Sequence, residues 1–278
     1  MVGGLVTCEV PGPGSRDLRR SRLGSTRLTG NMLRSSRQRS DAAPQRRSLR
    51  LQSRYARLMM HVEIWSDVVC PWCYIGKRNF EVALAAFEDR DDVQVTYRSF
   101  QLDPGAPRES EGDLADHMSA RVGRPREESL ARLEEMTERM RGAGIESRFD
   151  RARVGNTRDA HRLLHLAAQH GIQDAVQERF LKAYFSEGEA IGNTETLQRL
   201  AAEAGLPAAE AADVLAGDRF ATEVEDDQQV ARGFGIGGVP FFVVDRAYGA
   251  SGAQPPEALL ELLRQARAES ACDGVSEG

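Results

Sequence analysis

Apolar and polar positions change their spacing several times along the chain, and each change predicts an element. Residues 61–69 read His-Val-Glu-Ile-Trp-Ser-Asp-Val-Val. Val62, Ile64 and Val68 share one parity and Trp65 adds strand propensity, so a strand is expected there. From 74 to 88 the period becomes helical, with Phe80, Leu84 and Phe87 at i, i+4 and i+7. Residues 92–102 alternate again and predict a second strand. Strand, helix, strand in that order implies a parallel pair joined by a right-handed crossover.

The run Asp103-Pro104-Gly105-Ala106-Pro107 breaks the pattern, and from there to about residue 234 the chain reads as helical. Stripes recur at Leu130, Leu133, Met136 and Met140, at Ala160, Leu163, Leu164 and Ala167, at Val176, Phe180, Leu181 and Tyr184, and at Leu197, Leu200 and Ala201. All are read as faces of a helical core. Strand signals return at 237–245, where a Gly-Gly-Val-Pro turn leads into an apolar run. Residues 247–252 form a short partner that closes an antiparallel hairpin. A last amphipathic helix carries Leu259, Leu262 and Leu263, and from about Ser270 the chain is expected to fray. There is no internal repeat. The expected architecture is α/β: one sheet built from the first and last parts of a domain spanning 60–270, a helical insertion at about 104–216, and a disordered tail at 271–278.

Charge sets residues 1–59 apart. Residues 1–60 hold 13 Arg, no Lys and three acids (Glu9, Asp17, Asp41), a net of +10, whereas the whole chain carries −5. The remaining residues therefore carry −15, which argues against nucleic acid as the main partner. The leader has no sustained period and no apolar core of a secretory signal. It is expected to be disordered or spurious, with translation starting at Met59 or Met60; an organelle transit peptide and a nucleic-acid-binding arm are the alternatives. Lysine occurs only at Lys77 and Lys182, which points to a codon bias toward arginine and weakens any selective reading of the leader. No apolar run reaches the ~18 residues a membrane span needs.

The candidate chemistry lies between the first strand and the first helix. The chain has four cysteines, Cys8, Cys70, Cys73 and Cys272, and two of them form Cys70-Pro71-Trp72-Cys73. One functional pair in a cysteine-poor chain fits catalytic use in a reducing compartment, and so a cytoplasmic location. A thiol attacks a disulfide only as its thiolate. At a helix start, Cys70 would lie over unpaired backbone N–H groups and the positive end of the dipole, both of which favour the anion. Cys73, one turn on, is placed to resolve a mixed disulfide. Pro71 suits the first helical position, where its missing N–H matters least.

These stretches resemble a known family. Ser66 to Gly76, Asn156-Thr157 with Ala160-His161-Arg162-Leu163, Gly238-Val239-Pro240-Phe241-Phe242 and Ser251-Gly252-Ala253-Gln254-Pro255 are similar to the DsbA superfamily, most closely its FrnE-like oxidoreductases. The likeness covers about residues 61–268. It implies a thioredoxin-like fold with a helical insertion, and a cis proline at Pro240 facing the cysteines. That arrangement would offer the Val239 backbone to a substrate strand by edge addition. Without the resemblance, Pro240 would be read as an ordinary trans proline at a strand start. The superfamily also holds glutathione-dependent 2-hydroxychromene-2-carboxylate isomerases and kappa-class glutathione transferases. Those carry serine where Cys70 stands, which favours disulfide exchange here.

Several further residues have two readings. His161 and His165 share a helix face, but Cys73 and His161 are 88 positions apart, far from zinc-finger spacing, so no metal is expected. His161 either lines a substrate groove or is a satisfied structural histidine. Asn156, with Thr157, is either a helix cap or a ligand contact. Glu63 or Asp67 could accept the Cys73 proton, and Asp67 could equally cap a turn. Trp72 and Tyr74 would either pack on substrate or cover the sheet edge. Taken together, the pattern predicts a thiol–disulfide oxidoreductase with Cys70, Cys73 and Pro240 at its centre and Trp72, Val239, His161 and Asn156 around the substrate. It needs no cofactor, with glutathione a candidate co-substrate. The partner is a protein or small-molecule thiol or disulfide, neither nucleic acid nor membrane. The alternatives are a glutathione-dependent isomerase or transferase and a non-enzymatic, chaperone-like binding module. Oligomeric state and the direction of electron flow are left open.

Overall fold

The computed structural model describes residues 59–110 and 112–273; the Arg-rich leader and the last five residues lie outside the described residues. Strand β1 (Met60–Ser66) leads into helix α1 (Pro71–Ala86), then β2 (Val93–Ser99). Seven helices follow: α2 (Leu114–Val122), α3 (Arg126–Gly142), α4 (Arg158–Gln169), α5 (Gln173–Lys182), α6 (Thr194–Glu203), α7 (Ala208–Ala216) and α8 (Ala221–Gly233). A π-helical turn, Ala183–Glu187, continues α5. The chain closes with β3 (Phe241–Val244), β4 (Tyr248–Ser251) and α9 (Pro256–Asp273).

The four strands form one sheet in the order β2-β1-β3-β4. β1 and β2 are parallel, as the crossover predicts, and β3 runs antiparallel to both its neighbours. Strand alternation sorts the side chains between two layers. Val62, Ile64, Phe242 and Val244 meet Phe80 and Ala83 of α1 and Leu259 and Leu263 of α9. Phe80 and Phe242 stack with ring centroids 5.7 Å apart. Trp65 and Val243 face the other side and meet Ala231 and Ile236. Trp65 is wholly buried, and its indole N–H donates to the Asp227 carbonyl at 3.0 Å.

The outer edge of β2 is closed by side chains rather than by another strand. The Gln173 amide accepts from the Tyr97 N–H and donates to the Tyr97 carbonyl, both at 2.9 Å, and the Asp227 carboxylate accepts the Ser99 N–H at 2.9 Å. An edge satisfied in this way cannot template a further strand. The remaining helices share a separate core of Leu163, Leu166, Phe180, Leu197, Leu200 and their neighbours.

Two boundaries differ from the pattern. α1 starts at Pro71, three residues before its apolar period begins, because the first turn is set by the Cys70 cap and Pro71. α2 was not readable as a separate helix, since it buries only Ala115. Its ends are local signals instead: the Asp113 carboxylate accepts the Asp116 N–H at 2.8 Å, and Gly123 ends it in the left-handed region at φ 64°.

Candidate active site

Cys70 is the N-cap of α1, in extended backbone geometry, and its carbonyl accepts the Cys73 N–H at 3.0 Å and the Tyr74 N–H at 3.3 Å. The Cys70 side chain makes no capping hydrogen bond to the first turn of the helix. The Cys70 N–H donates to the Asp67 carbonyl at 3.1 Å, which closes the loop between β1 and α1. Both cysteines are free thiols and both are buried.

Chain from the far end of the sequence meets this loop. The Val239–Pro240 bond is cis, and the Cys70 thiol donates to the Val239 carbonyl at 3.6 Å. Gly76 makes the approach feasible. A Cβ placed on it would stand 2.8 Å from Pro240 Cγ and 3.4 Å from Phe242 Cζ, so only glycine lets α1 lie against the proline.

The two thiols differ in environment. Burial pushes the Cys73 thiol well up from its ordinary range, and the adjoining Cys70 sulfur adds to this. The Ser66 hydroxyl and the Asp67 backbone N–H oppose the rise by donating to the Cys73 sulfur. Gln177 supports Ser66 by donating from Nε2 to Ser66 Oγ at 3.1 Å, leaving the hydroxyl proton for the sulfur. Cys73 is thus held as a protonated thiol under the helix start.

The other sequence candidates separate. Trp72 stands 39% exposed, with the Arg139 guanidinium 5.5 Å from its ring centre. Tyr74 turns inward: its hydroxyl donates to Glu178 at 2.8 Å and its ring lies 5.9 Å from that of Phe185. The buried Lys77 next to it is ion-paired with Glu81, Asp174 and Glu178, which anchors α1 to α5. Glu63 is committed to Arg98 and Arg246, and these hold its carboxyl below the usual range although burial acts in the opposite sense. The structure therefore does not bring Glu63 to the thiols. Asp67 is fully buried beside them, with Oδ2 accepting the Leu102 N–H at 2.8 Å and Oδ1 3.3 Å from His161 Nε2.

His161 is buried behind Asp67, which fits a satisfied structural histidine. His165 pairs instead with Asp227, 3.2 Å away. The two histidines thus serve separate carboxylates, and among the described residues no three His, Cys, Asp or Glu side chains converge as a metal set. The Asn156 amide is used within the chain. It donates to the Pro104 and Ala106 carbonyls at 3.1 and 2.9 Å, and accepts from Gln101 and from the Arg158 N–H. Asn156 therefore stitches the 103–107 segment to the start of α4.

Beside the loop lies a cavity of about 870 Å³. Val69 and Pro71 line it on either side of Cys70, with Asp67 and Trp72. Leu114 and Met118 of α2 and Leu133 and Met136 of α3 form an apolar wall, and Arg121, Arg132 and Arg139 also reach it. Thr157 and Tyr184 also line it, as do the polar side chains of Asp103, His117 and Glu135. Sequence reading missed Tyr184, because its place in the apolar stripe of α5 marks it as core.

The chain is 43% identical to a probable DsbA oxidoreductase from Streptomyces coelicolor of known structure, with a TM-score of 0.72, covering 76% of this chain and 91% of that one. It is 27% identical over 155 residues to the uncharacterized protein YwbO of Bacillus subtilis, covering 55% of this chain and 70% of that protein. It shares its fold with the cytosolic disulfide reductase DsbM from Pseudomonas aeruginosa, solved with GSH, at 18% identity and a TM-score of 0.53, covering 74% of this chain and 98% of that one. The family model for the DSBA-like thioredoxin domain matches residues 61–264. A cysteine-capped helix, a facing cis proline and a helical block set into a thioredoxin sheet all agree with that match: the chain belongs to the DSBA-like thioredoxin domain family.

Proposed function

We propose that the protein is a thiol–disulfide oxidoreductase in which Cys70 attacks and Cys73 resolves. The observation that carries this reading is the asymmetry of the pair. Cys70 caps the helix beside the cavity, whereas Cys73 is held protonated beneath it by burial. In the reducing direction the Cys70 thiolate attacks one sulfur of a substrate disulfide. The S–S bond breaks, a mixed disulfide forms, and the expelled thiolate takes up a proton. Cys73 then loses its proton and attacks Cys70 Sγ, forming the Cys70–Cys73 disulfide and releasing the second substrate thiol. One disulfide and two thiols are present before and after, and two electrons pass to the substrate. The reverse sequence makes the protein an oxidant.

The electrons reside in the sulfurs, so the reaction needs no cofactor; glutathione, the ligand solved with the fold neighbour DsbM, is the co-substrate to try first. The substrate is a protein or small-molecule disulfide, and the working compartment is the cytoplasm. Among the described residues, no helix is long and apolar enough to cross a membrane. The reading as a glutathione-dependent isomerase or transferase is disfavoured because a second thiol, Cys73, lies one turn from Cys70, where mixed-disulfide resolution needs it.

Cys70→Ser is expected to abolish insulin reduction, and Cys73→Ser to accumulate a mixed disulfide visible by intact mass. Full insulin turnover by the Cys70→Ser protein would sink the reading.

A further inference from the structure

The charged groups around the cavity beside Cys70 do not balance. α3 brings Arg132, Leu133, Met136 and Arg139 to it, positions i, i+1, i+4 and i+7 of one helix face. α2 brings Leu114, Met118 and Arg121, again one face. Asp67 lines it too, but is fully buried and out of an occupant's reach. Arg121 is paired with Asp103 at 2.8 Å, and His117 Nε2 stands 3.9 Å from the same carboxylate. Arg139 is paired with Glu135. Arg132 is left over. Its natural partners along the helix are Glu128, four residues before, and Glu135, three after. Glu128 is taken by Arg124 at 3.6 Å and Glu135 by Arg139, so among the described residues Arg132 has no ion-pair partner. The cavity therefore carries one unmatched cation, although residues 61–278 sum to −15.

One anionic group complements that cation. The wall of Leu114, Met118, Leu133 and Met136 asks for something different from the rest of an occupant. A peptide segment laid on it would bury amides without partners, and each unpaired amide costs free energy. A hydrocarbon loses nothing there and gains by leaving water. The volume of about 870 Å³ lies within the range of small-molecule sites, about 300–1,000 Å³.

We propose that the cavity selects disulfides built on a hydrocarbon skeleton that ends in a single carboxylate. Arg132 receives the carboxylate, and the wall of α2 and α3 receives the skeleton. This rests on the exchange reading above and names a non-peptide substrate class for it. Lipoate has these parts: a cyclic disulfide, an alkyl chain and one carboxylate. The Cys70 thiolate attacks one ring sulfur, the ring S–S bond breaks, and the second ring sulfur leaves as a tethered thiolate that takes up a proton. Cys73 then gives up its proton and attacks Cys70 Sγ, and the first substrate sulfur departs and is protonated. Two electrons pass from the cysteine pair to the substrate, which leaves as a dithiol.

The test is steady-state reduction of lipoate, lipoamide and insulin by the full chain. Lipoate and lipoamide share the ring and the alkyl chain and differ in charge. The wild type should favour lipoate by about fivefold in kcat/KM, through KM rather than kcat, as expected for one solvent-facing ion pair. Added salt should shrink that preference. Arg132→Gln keeps length and helix propensity but not charge, and should bring the lipoate-to-lipoamide ratio to about one. Met136→Gln should raise KM for both dithiolanes by about fourfold and leave their ratio as in the wild type. A wild type without preference for lipoate, a preference that survives Arg132→Gln, or dithiolane KM values unmoved by Met136→Gln would overturn the proposal. So would a wild type that reduces insulin but neither dithiolane, which leaves the exchange reading standing. A wild type inactive on all three substrates would instead remove the exchange reading, and the proposal with it.

Discussion

The thiol end and the cavity wall are built in opposite ways. α1, which presents the cysteines, buries seven of its residues, from Cys73 to Ala83. α2 and α3, which wall the cavity, bury one and two, namely Ala115, Ser129 and Met140. The thiol end is fixed by buried bonds, such as Gln177 to Ser66 and Lys77 to its three carboxylates. On the wall, Leu114, Leu133 and Met136 pack only partly buried against the helical core, and the ion pairs face solvent: Arg126 with Asp113 and Asp116, Arg121 with Asp103, Arg139 with Glu135. Exposed pairs of this kind contribute about 0–1 kcal/mol each. Disulfide exchange as proposed needs two sulfurs in fixed register, whereas a cavity wall has only to exclude water. The molecule puts its stability where the register matters.

Native-state hydrogen exchange gives the largest expected contrast. Amides of α1 should open only with global unfolding, and those of α2 and α3 by local opening, orders of magnitude faster. Equal protection across the three helices would erase the distinction.

Next in size is Gly76→Ala. In an open helix this change stabilises by roughly 0.5–1 kcal/mol. Here the added Cβ would meet Pro240 Cγ at 2.8 Å. The expected outcome is a loss of about 1–3 kcal/mol in chemical denaturation, as for overpacked sites, with slower insulin reduction. A stabilised variant would show that α1 and the Pro240 loop are not tightly apposed.

Legibility in the sequence follows the same division. The cysteine pair's place at a strand-to-helix junction, the parallel β1–β2 pair, the β3–β4 hairpin and the final helix are readable because each leaves a local pattern: CxxC between a strand and a helix, a period of two, a Gly-Val-Pro turn. The cis state of Pro240 was not readable from the residues alone, and came only with the family resemblance. The partners of His161 and His165 were hidden, since their carboxylates are 94 residues before one and 62 after the other. Asn156 looked like a ligand contact or a cap because both uses want the same side chain. Tyr184 carried no signal, since an apolar stripe does not reveal which member borders a cavity.

Acid separates the regions more gently. Burial alone would raise the carboxyls of Glu63, Glu178 and Asp227, but their cationic and hydrogen-bonding partners win and hold all three below their ordinary range. A lowered carboxyl favours the folded state above the unfolded pKa, near 4, and that contribution is lost as pH falls through the folded value. Stability should therefore be level from neutral pH down to about 5 and fall below about 4. Because these groups are buried or half-buried, added salt should change the fall little. The wall should respond in reverse. Arg126 faces solvent, and so do the Asp113 and Asp116 carboxylates it pairs with. Arg126→Ala is expected to leave the thermal midpoint unchanged within error in physiological salt and to lower it slightly only at low ionic strength, where the pairs are unscreened. A clear loss at high salt would mean that Arg126 holds the α2–α3 wall by packing rather than by charge, and the wall would then share the construction of the thiol end.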